Sequence, residues 1–185
     1  MKVSLDVSAV PARPVGAGRY TVELAKALAA GHDLDVALTL LTRHDDVERW
    51  AEIAPRVPVV ARAPDRRPAR LVWEQTLLPR LLNRLDVEIH HGPHYTMPEA
   101  ARLPKVVTVH DLTFFSHPEW HERTKVPYFR RAVRVAARHA DAVICVSEAT
   151  ASELRRFCQP TVPVHVVPHG VDHALFRPGD GGEGG

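Results

Sequence analysis

The run Val106-Val107-Thr108-Val109 constrains this chain more than any other stretch. Consecutive β-branched residues favour an extended strand, because their side chains pack well on a pleated surface. The run ends abruptly in His110-Asp111 and passes into the apolar loop Leu112-Thr113-Phe114-Phe115. In an open α/β sheet, ligands bind outside the carboxyl ends of the strands. A His-Asp pair at such an end is placed for chemistry, provided that the rest of the chain builds the sheet.

It has the pattern to do so. Residues 2–7 read as a first strand, with Val3, Leu5 and Val7 on one face. A loop with Gly16-Ala17-Gly18 leads into a helix over 19–30, whose apolar stripe is Tyr20, Leu24, Ala27 and Leu28 and whose stop is Gly31. Strands follow at 34–41 and 57–61, with a short helix over 45–53 between them. A basic loop with Arg62, Arg66, Arg67 and Arg70 precedes a Leu- and Trp-rich helix over 69–85, which Pro79 must kink or divide. Further strands are expected at 86–90, 105–109, 142–146 and 163–167. Residues 117–120 read as irregular. A strong helix spans 124–139, with Pro127 in its tolerant first turn, and Ser147 caps a last helix over 148–157. This alternation predicts an α/β fold, a parallel sheet of about seven strands with helices on both faces.

Length suits one domain with a real core, since the chain has 185 residues. Lys and Arg number 24 against 22 Asp and Glu, so no basic excess points to nucleic acid. Cys145 and Cys158 read as reduced structural thiols. The first residues alternate like a strand and lack a signal-peptide core, and no apolar run reaches the roughly 20 residues of a membrane span. A cytoplasmic protein is expected. Residues 179–185, rich in glycine, read as a linker or tail.

Four constellations carry chemistry. Gly16, Ala17 and Gly18 open a helix whose first N–H groups and partial positive charge suit a phosphate, and Arg19 adds a full charge there. Thr21 breaks the full G-x-G-x-x-G pattern, so a plain tight turn weighs equally. His90, His91 and His94 invite a metal reading, but no Cys or carboxylate completes a ligand set, and no metal is expected. His94 and Tyr95 are instead assigned to a polar cleft, with His90 in the strand end. His110 can contact a reacting group as a neutral imidazole, and Asp111 stands beside it. Without a G-x-S-x-G elbow there is no hydrolase triad, and a capped strand end is the plainer alternative. The arginines and leucines of 62–85 fit packing on the sheet, and they also fit an anionic membrane surface.

Taken together, several motifs resemble the N-terminal domain of the retaining glycosyltransferases of family 4, of GT-B architecture. They are Gly16-Ala17-Gly18-Arg19-Tyr20, Trp73-Glu74-Gln75 before Leu78-Pro79, His110-Asp111-Leu112, His117-Pro118-Glu119, residues 140–148, and Pro168-His169-Gly170-Val171-Asp172 with Phe176-Arg177-Pro178. Mannosyltransferases of polysaccharide assembly look nearest. The resemblance implies a Rossmann-like, acceptor-side domain over 1–178 that faces a donor-binding domain across a cleft. It implies retaining transfer of a hexose, mannose being the nearest match, from a nucleotide sugar to a glycan or lipid-linked acceptor, without a metal cofactor. By the same resemblance His110 lies against the donor sugar, and Gly16, Ala17, Gly18 and Arg19 approach the diphosphate. Asp111, His94 and Tyr95 are assigned to hydroxyl recognition. The paired acidic motif and the diphosphate clamp of the donor domain do not occur in this sequence. A partner domain in cis or in trans is therefore expected.

Two other readings compete. A non-catalytic binding or assembly module would keep the fold. A nucleotide-dependent oxidoreductase would end its second strand in an acidic residue, whereas Thr42-Arg43 stands there.

Overall fold

The computed structural model describes residues 1–31 and 35–173. Seven strands form one sheet: β1 (Lys2–Asp6), β2 (Ala37–Arg43), β3 (Val59–Ala63), β4 (Ile89–Gly92), β5 (Lys105–Val109), β6 (Ala142–Cys145) and β7 (Val164–Val166). Their spatial order is β3-β2-β1-β4-β5-β6-β7, and every neighbouring pair is parallel. The Rossmann-like α/β fold read from the sequence is the fold observed.

Seven helices connect the strands: α1 (Ala17–Ala30), α2 (Val47–Ile53), α3 (Arg67–Thr76), α4 (Leu78–Leu82), α5 (Thr113–Ser116), α6 (Lys125–His139) and α7 (Glu148–Cys158). Short 3-10 turns cover His44–Asp46 and Pro118–Trp120. Pro79 does end the long basic helix, which becomes α3 and α4 about Leu77. Ser147 Oγ accepts the N–H of Thr150 at 3.1 Å, the predicted cap of α7.

Period-two alternation divides the core between the two faces of the sheet. Leu5, Leu38 and Leu40 pack with Val22 and Ala25 of α1 and Trp50 of α2. Leu41 and Ala63 point the other way, into a cluster with Trp73, Leu78 and Leu82. Val107, Val109, Val143 and Cys145 pack with α6 and α7 through Phe129, Val133, Ala136 and Leu154. Both cysteines are buried free thiols.

Some strands start later than expected: β2 and β3 run two residues past the predicted ends, and β4 is Ile89–Gly92 rather than 86–90. The helix stripe of α1 is also different. Its buried residues are Gly18, Thr21, Val22 and Ala25, Ala27 is exposed, and Tyr20 turns to the carboxyl edge of the sheet instead. Position 34, the tail over 179–185, and the Phe176-Arg177-Pro178 motif lie outside the described residues.

Arg43, at the end of β2, matters for the loop that follows β1. Its Nη1 donates to Ser8 O at 2.8 Å and Val10 O at 2.9 Å, while Nη2 holds Asp46 at 3.1 Å. Arg49 donates to Pro11 O at 2.7 Å and also to Asp46. Asp46 is buried and takes Trp50 Nε1–H as well. Two guanidinium groups thus share one buried carboxylate and clamp the start of the glycine loop.

Candidate functional site

The strand order reverses between β1 and β4. Chain running outward from β1 builds β2 and β3 on one side, and chain returning to β4 builds β5 to β7 on the other. The loops on either side of that point diverge and leave a crevice at the carboxyl edge. Three turns meet there: the glycine loop after β1, residues 93–96 after β4, and His110-Asp111 after β5.

Gly16 opens α1 with φ 51° and ψ −122°, a region that L side chains rarely adopt. Gly18 is buried, and a Cβ there would meet Pro11 Cδ at 3.2 Å and Pro14 Cβ at 3.4 Å. Its N–H donates to Val15 O at 3.0 Å, so that amide serves the turn itself. Arg19 Nε lies 3.4 Å from Glu23 Oε1 on the exposed side of the helix, an ordinary surface pair. Of the four residues assigned to a diphosphate, Gly16 and Ala17 thus form the helix opening, Gly18 packs on prolines, and Arg19 pairs along α1.

After β4, Gly92 is closely shut in. A Cβ there would stand 2.2 Å from Thr96 O. The chain therefore folds tightly back, and Tyr95 takes φ 64° while its N–H donates to Thr108 O at 3.0 Å. Tyr95 Oη–H donates to Asp111 Oδ2 at 2.7 Å, and the Thr113 N–H donates to Asp111 Oδ1 at 2.9 Å. Burial disfavours the Asp111 charge, but the bonds from Thr113 and Tyr95 outweigh it and hold the carboxyl below its ordinary range. Tyr95 is buried and Asp111 is engaged at both oxygens. In this geometry the pair braces the two turns against each other.

His110 sits where β5 ends. Its Nε2 lies 2.8 Å from Pro93 O, and a carbonyl only accepts, so Nε2 carries the proton. Nδ1 is left as an acceptor, buried and with no hydrogen-bond partner among the described residues. Burial lowers the imidazole pKa, only partly offset by the bond to Pro93, which favours the neutral form. The main-chain carbonyl of His110 accepts the Thr150 hydroxyl at 3.1 Å, tying this residue to the start of α7. Rings surround the imidazole: Tyr20 edge-on at 5.0 Å, Tyr95 at 5.8 Å, His169 at 5.9 Å and His94 at 6.1 Å between centroids. His94 is pushed down to about 4 by burial and by the nearby imidazole of His110. A neutral histidine with one nitrogen fixed and the other waiting for a donor suits a hydroxyl-bearing ligand.

His90 and His91 are otherwise engaged. His90 Nδ1 lies 3.0 Å from Ser4 Oγ, and His91 Nε2 lies 2.8 Å from Thr108 Oγ1. Burial pushes them to about 3 and about 4. Among the described residues no group of three His, Cys, Asp or Glu could hold a metal ion.

Several contributors went unassigned in the sequence reading. Tyr20 reads as one apolar position in a stripe, and Thr108 as one more β-branched strand residue. His169 belongs to a quoted motif without a role. Glu74 of Trp73-Glu74-Gln75 is buried, and its carboxyl is pushed up to about 8 by burial and then by the charge of Asp6. Asp6, which ends β1, is itself raised by burial, although Ser8 N–H donates to its Oδ1 at 2.9 Å. Two acidic groups therefore lie under the same crevice. The end of β2 carries Arg43 and no carboxylate, which leaves a dinucleotide-type ribose contact without its residue.

The chain is 26% identical over 175 residues to the O-antigen chain mannosyltransferase B of Escherichia coli, covering 84% of this chain and 43% of that protein. Among solved structures, the crystal structure of Anabaena HepE in complex with UDP and glucose superposes with a TM-score of 0.59 at 20% identity, covering 95% of this chain and 46% of that one. The chain thus spans less than half the length of the relatives that it matches. The sequence model described as Glycosyltransferase Family 4 matches residues 14–175, most of the chain, and the chain belongs to that family.

Proposed function

We propose that this chain forms the acceptor-side half of a retaining hexosyltransferase, with His110 against the transferred sugar. The observation that carries the reading is the Nδ1 of His110 at the switch point of the sheet, buried and without a hydrogen-bond partner among the described residues. An acceptor nitrogen with no partner is costly to keep, and a sugar hydroxyl supplies the missing donor. The first turn of α1, opened by Gly16 and Ala17, faces the diphosphate with its N–H groups, and Gly18 and Arg19 shape that turn. His94 lines the same wall, and Tyr95 and Asp111 hold it in place.

In the reaction the bond from sugar C1 to the diphosphate breaks, and the diphosphate leaves with the electron pair. The acceptor oxygen bonds to C1 on the same face, and its proton departs with a phosphate oxygen. Charge builds on the sugar ring in between. The residues of this chain contribute by orientation and by fixed dipoles that need no rearrangement. The donor-binding half is supplied by a further domain, in cis or in trans. Mannose from a nucleotide sugar, and a glycan or lipid-linked acceptor of polysaccharide assembly, are the substrates favoured by the relative named a mannosyltransferase.

Contact with the cytoplasmic face of a membrane is proposed as well. Val72 and Leu77 are 63% and 54% exposed, beside exposed Arg66, Arg67, Arg80 and Arg84. Trp73, Leu78 and Leu82 of the same segment pack on the sheet, so both readings of it coexist. No helix among the described residues is long and apolar enough to cross a membrane.

Titration of the protein with GDP-mannose, UDP-glucose and NAD, followed by calorimetry, tests the reading. Binding of a nucleotide sugar that His110→Ala weakens supports it. Binding of NAD alone would overturn it in favour of an oxidoreductase.

A further inference from the structure

The His110 imidazole has four ring neighbours, and three of them are set by the fold. Tyr20 belongs to α1, and its hydroxyl reaches Thr108 Oγ1 at 3.4 Å. Tyr95 is buried and bonded to Asp111, and His94 packs edge-on against Tyr95 at 4.9 Å. The fourth neighbour is of another kind. His169 lies past β7, in a segment where residues 167–173 are exposed. The last backbone bond from that side to the sheet, among the described residues, runs from Val167 N–H to Cys145 O at 2.9 Å. From there the chain carries the His169 ring onto Tyr20, with centroids 5.0 Å apart and planes tilted by 31°. The same ring lies 5.9 Å from His110.

We infer that His169 is a displaceable cap over the Nδ1 face of His110. Nδ1 is shut from solvent yet has no hydrogen-bond partner among the described residues. A buried acceptor in that state is unstable unless the enclosure opens to a ligand that satisfies it. Of the four enclosing rings, His169 is the exposed one, and its departure breaks no hydrogen bond named above and uncovers no core residue. Its contact with Tyr20 is a tilted ring pair and no hydrogen bond, a weak hold. A ligand that donates to Nδ1 replaces that contact with a hydrogen bond and displaces the cap. Tyr20 then remains as the ring against which the ligand packs. His169 is thus a positioning residue, whose cover excludes water from the His110 nitrogen until the ligand arrives. The cap rests on the proposed function only for the identity of what displaces it.

The test needs no sugar. Diethyl pyrocarbonate acylates an unprotonated imidazole nitrogen, and peptide mass spectrometry assigns the modified histidine. In the wild type His110 reacts slowly. In His169→Ala it reacts at least fivefold faster, and in His169→Phe, which keeps a ring on Tyr20, it stays within twofold of wild type. His169 is exposed, so neither variant disturbs the core. Equal His110 rates in the wild type and His169→Ala overturn the cap, whatever the nucleotide-sugar titration gives. A faster rate in His169→Ala together with wild-type turnover by His110→Ala in the enzyme carrying both halves keeps the cap and sinks the sugar reading.

Discussion

The Nε2–H of His110 donates to the carbonyl oxygen of Pro93 at 2.8 Å, joining the end of β5 to the turn that leaves β4. This bond selects one tautomer and sets the direction of the other nitrogen. Burial holds the ring neutral at physiological pH, because its lowering of the pKa exceeds the opposing pull of the carbonyl. Nitrogen NMR of the labelled protein therefore shows a protonated Nε2 and a bare Nδ1 at pH 7, with a titration midpoint below the usual histidine value. A midpoint at 6.5 or above would contradict this placement.

Tyr95 and Asp111 form the second link between the same two turns. Tyr95→Phe removes the donor from a buried charge-assisted bond and leaves Asp111 Oδ2 short of one partner. The expected loss is about 1–3 kcal/mol of stability, read by urea unfolding. Asp111 also titrates higher in the variant, since Tyr95 is one of the groups that depress it. An unchanged midpoint would mean that water replaces the phenol at no cost.

Gly92 is the tightest backbone position of the site. A methyl group there would meet Thr96 O at 2.2 Å, and the neighbour is main chain, which cannot swing away. Gly92→Ala forces the turn after β4 to open and costs about 3 kcal/mol or more. Gly16→Ala is milder, about 1–3 kcal/mol, because its φ of 51° is strained for alanine but the space is empty. Thermal unfolding of the two variants should rank them in that order.

Stability has two opposing pH slopes. His90 and His91 are held at about 3 and about 4, against 6.5 when unfolded. Below pH 6.5 the unfolded chain binds protons that the folded chain refuses, so stability falls as pH drops, on the order of 2 kcal/mol for each at pH 5. Glu74 behaves in the reverse sense. Its folded value of about 8 lies above the unfolded 4.5, so stability falls as pH rises through that window. Glu74→Gln should stabilise the protein at pH 8, on the order of 3 kcal/mol, and flatten the alkaline slope while leaving the acid slope intact. A Gln variant that is less stable at pH 8 than the wild type would contradict the buried neutral acid.

Most of the fold is legible in the sequence because strand runs and helical periods are local signals. Val106 to Val109 could form little else, and β5 ends where its β-branched run does. Ser147 caps α7 by a rule that spans three residues. The site is less legible because its contacts join distant positions. Tyr20 has the apolar character of a core residue, and only its approach to His110, ninety positions away, reveals that it faces the crevice. Asp111 looks available beside His110, but the positive φ of Tyr95 delivers a phenol to it. Arg19 looks like a phosphate ligand, and Glu23, one helical turn on, takes its guanidinium group. Glu74 and Asp6 act on each other only because the fold brings residues 68 positions apart together.

In the proposed reaction His110 touches the transferred sugar. Turnover of the enzyme carrying both halves, with His110→Ala against wild type, tests that contact. The variant's kcat falls about a hundredfold or more, a cost of roughly 3 kcal/mol in the barrier, with the melting temperature nearly unchanged. A kcat within twofold of wild type, in a variant that folds normally, would remove His110 from the reacting site.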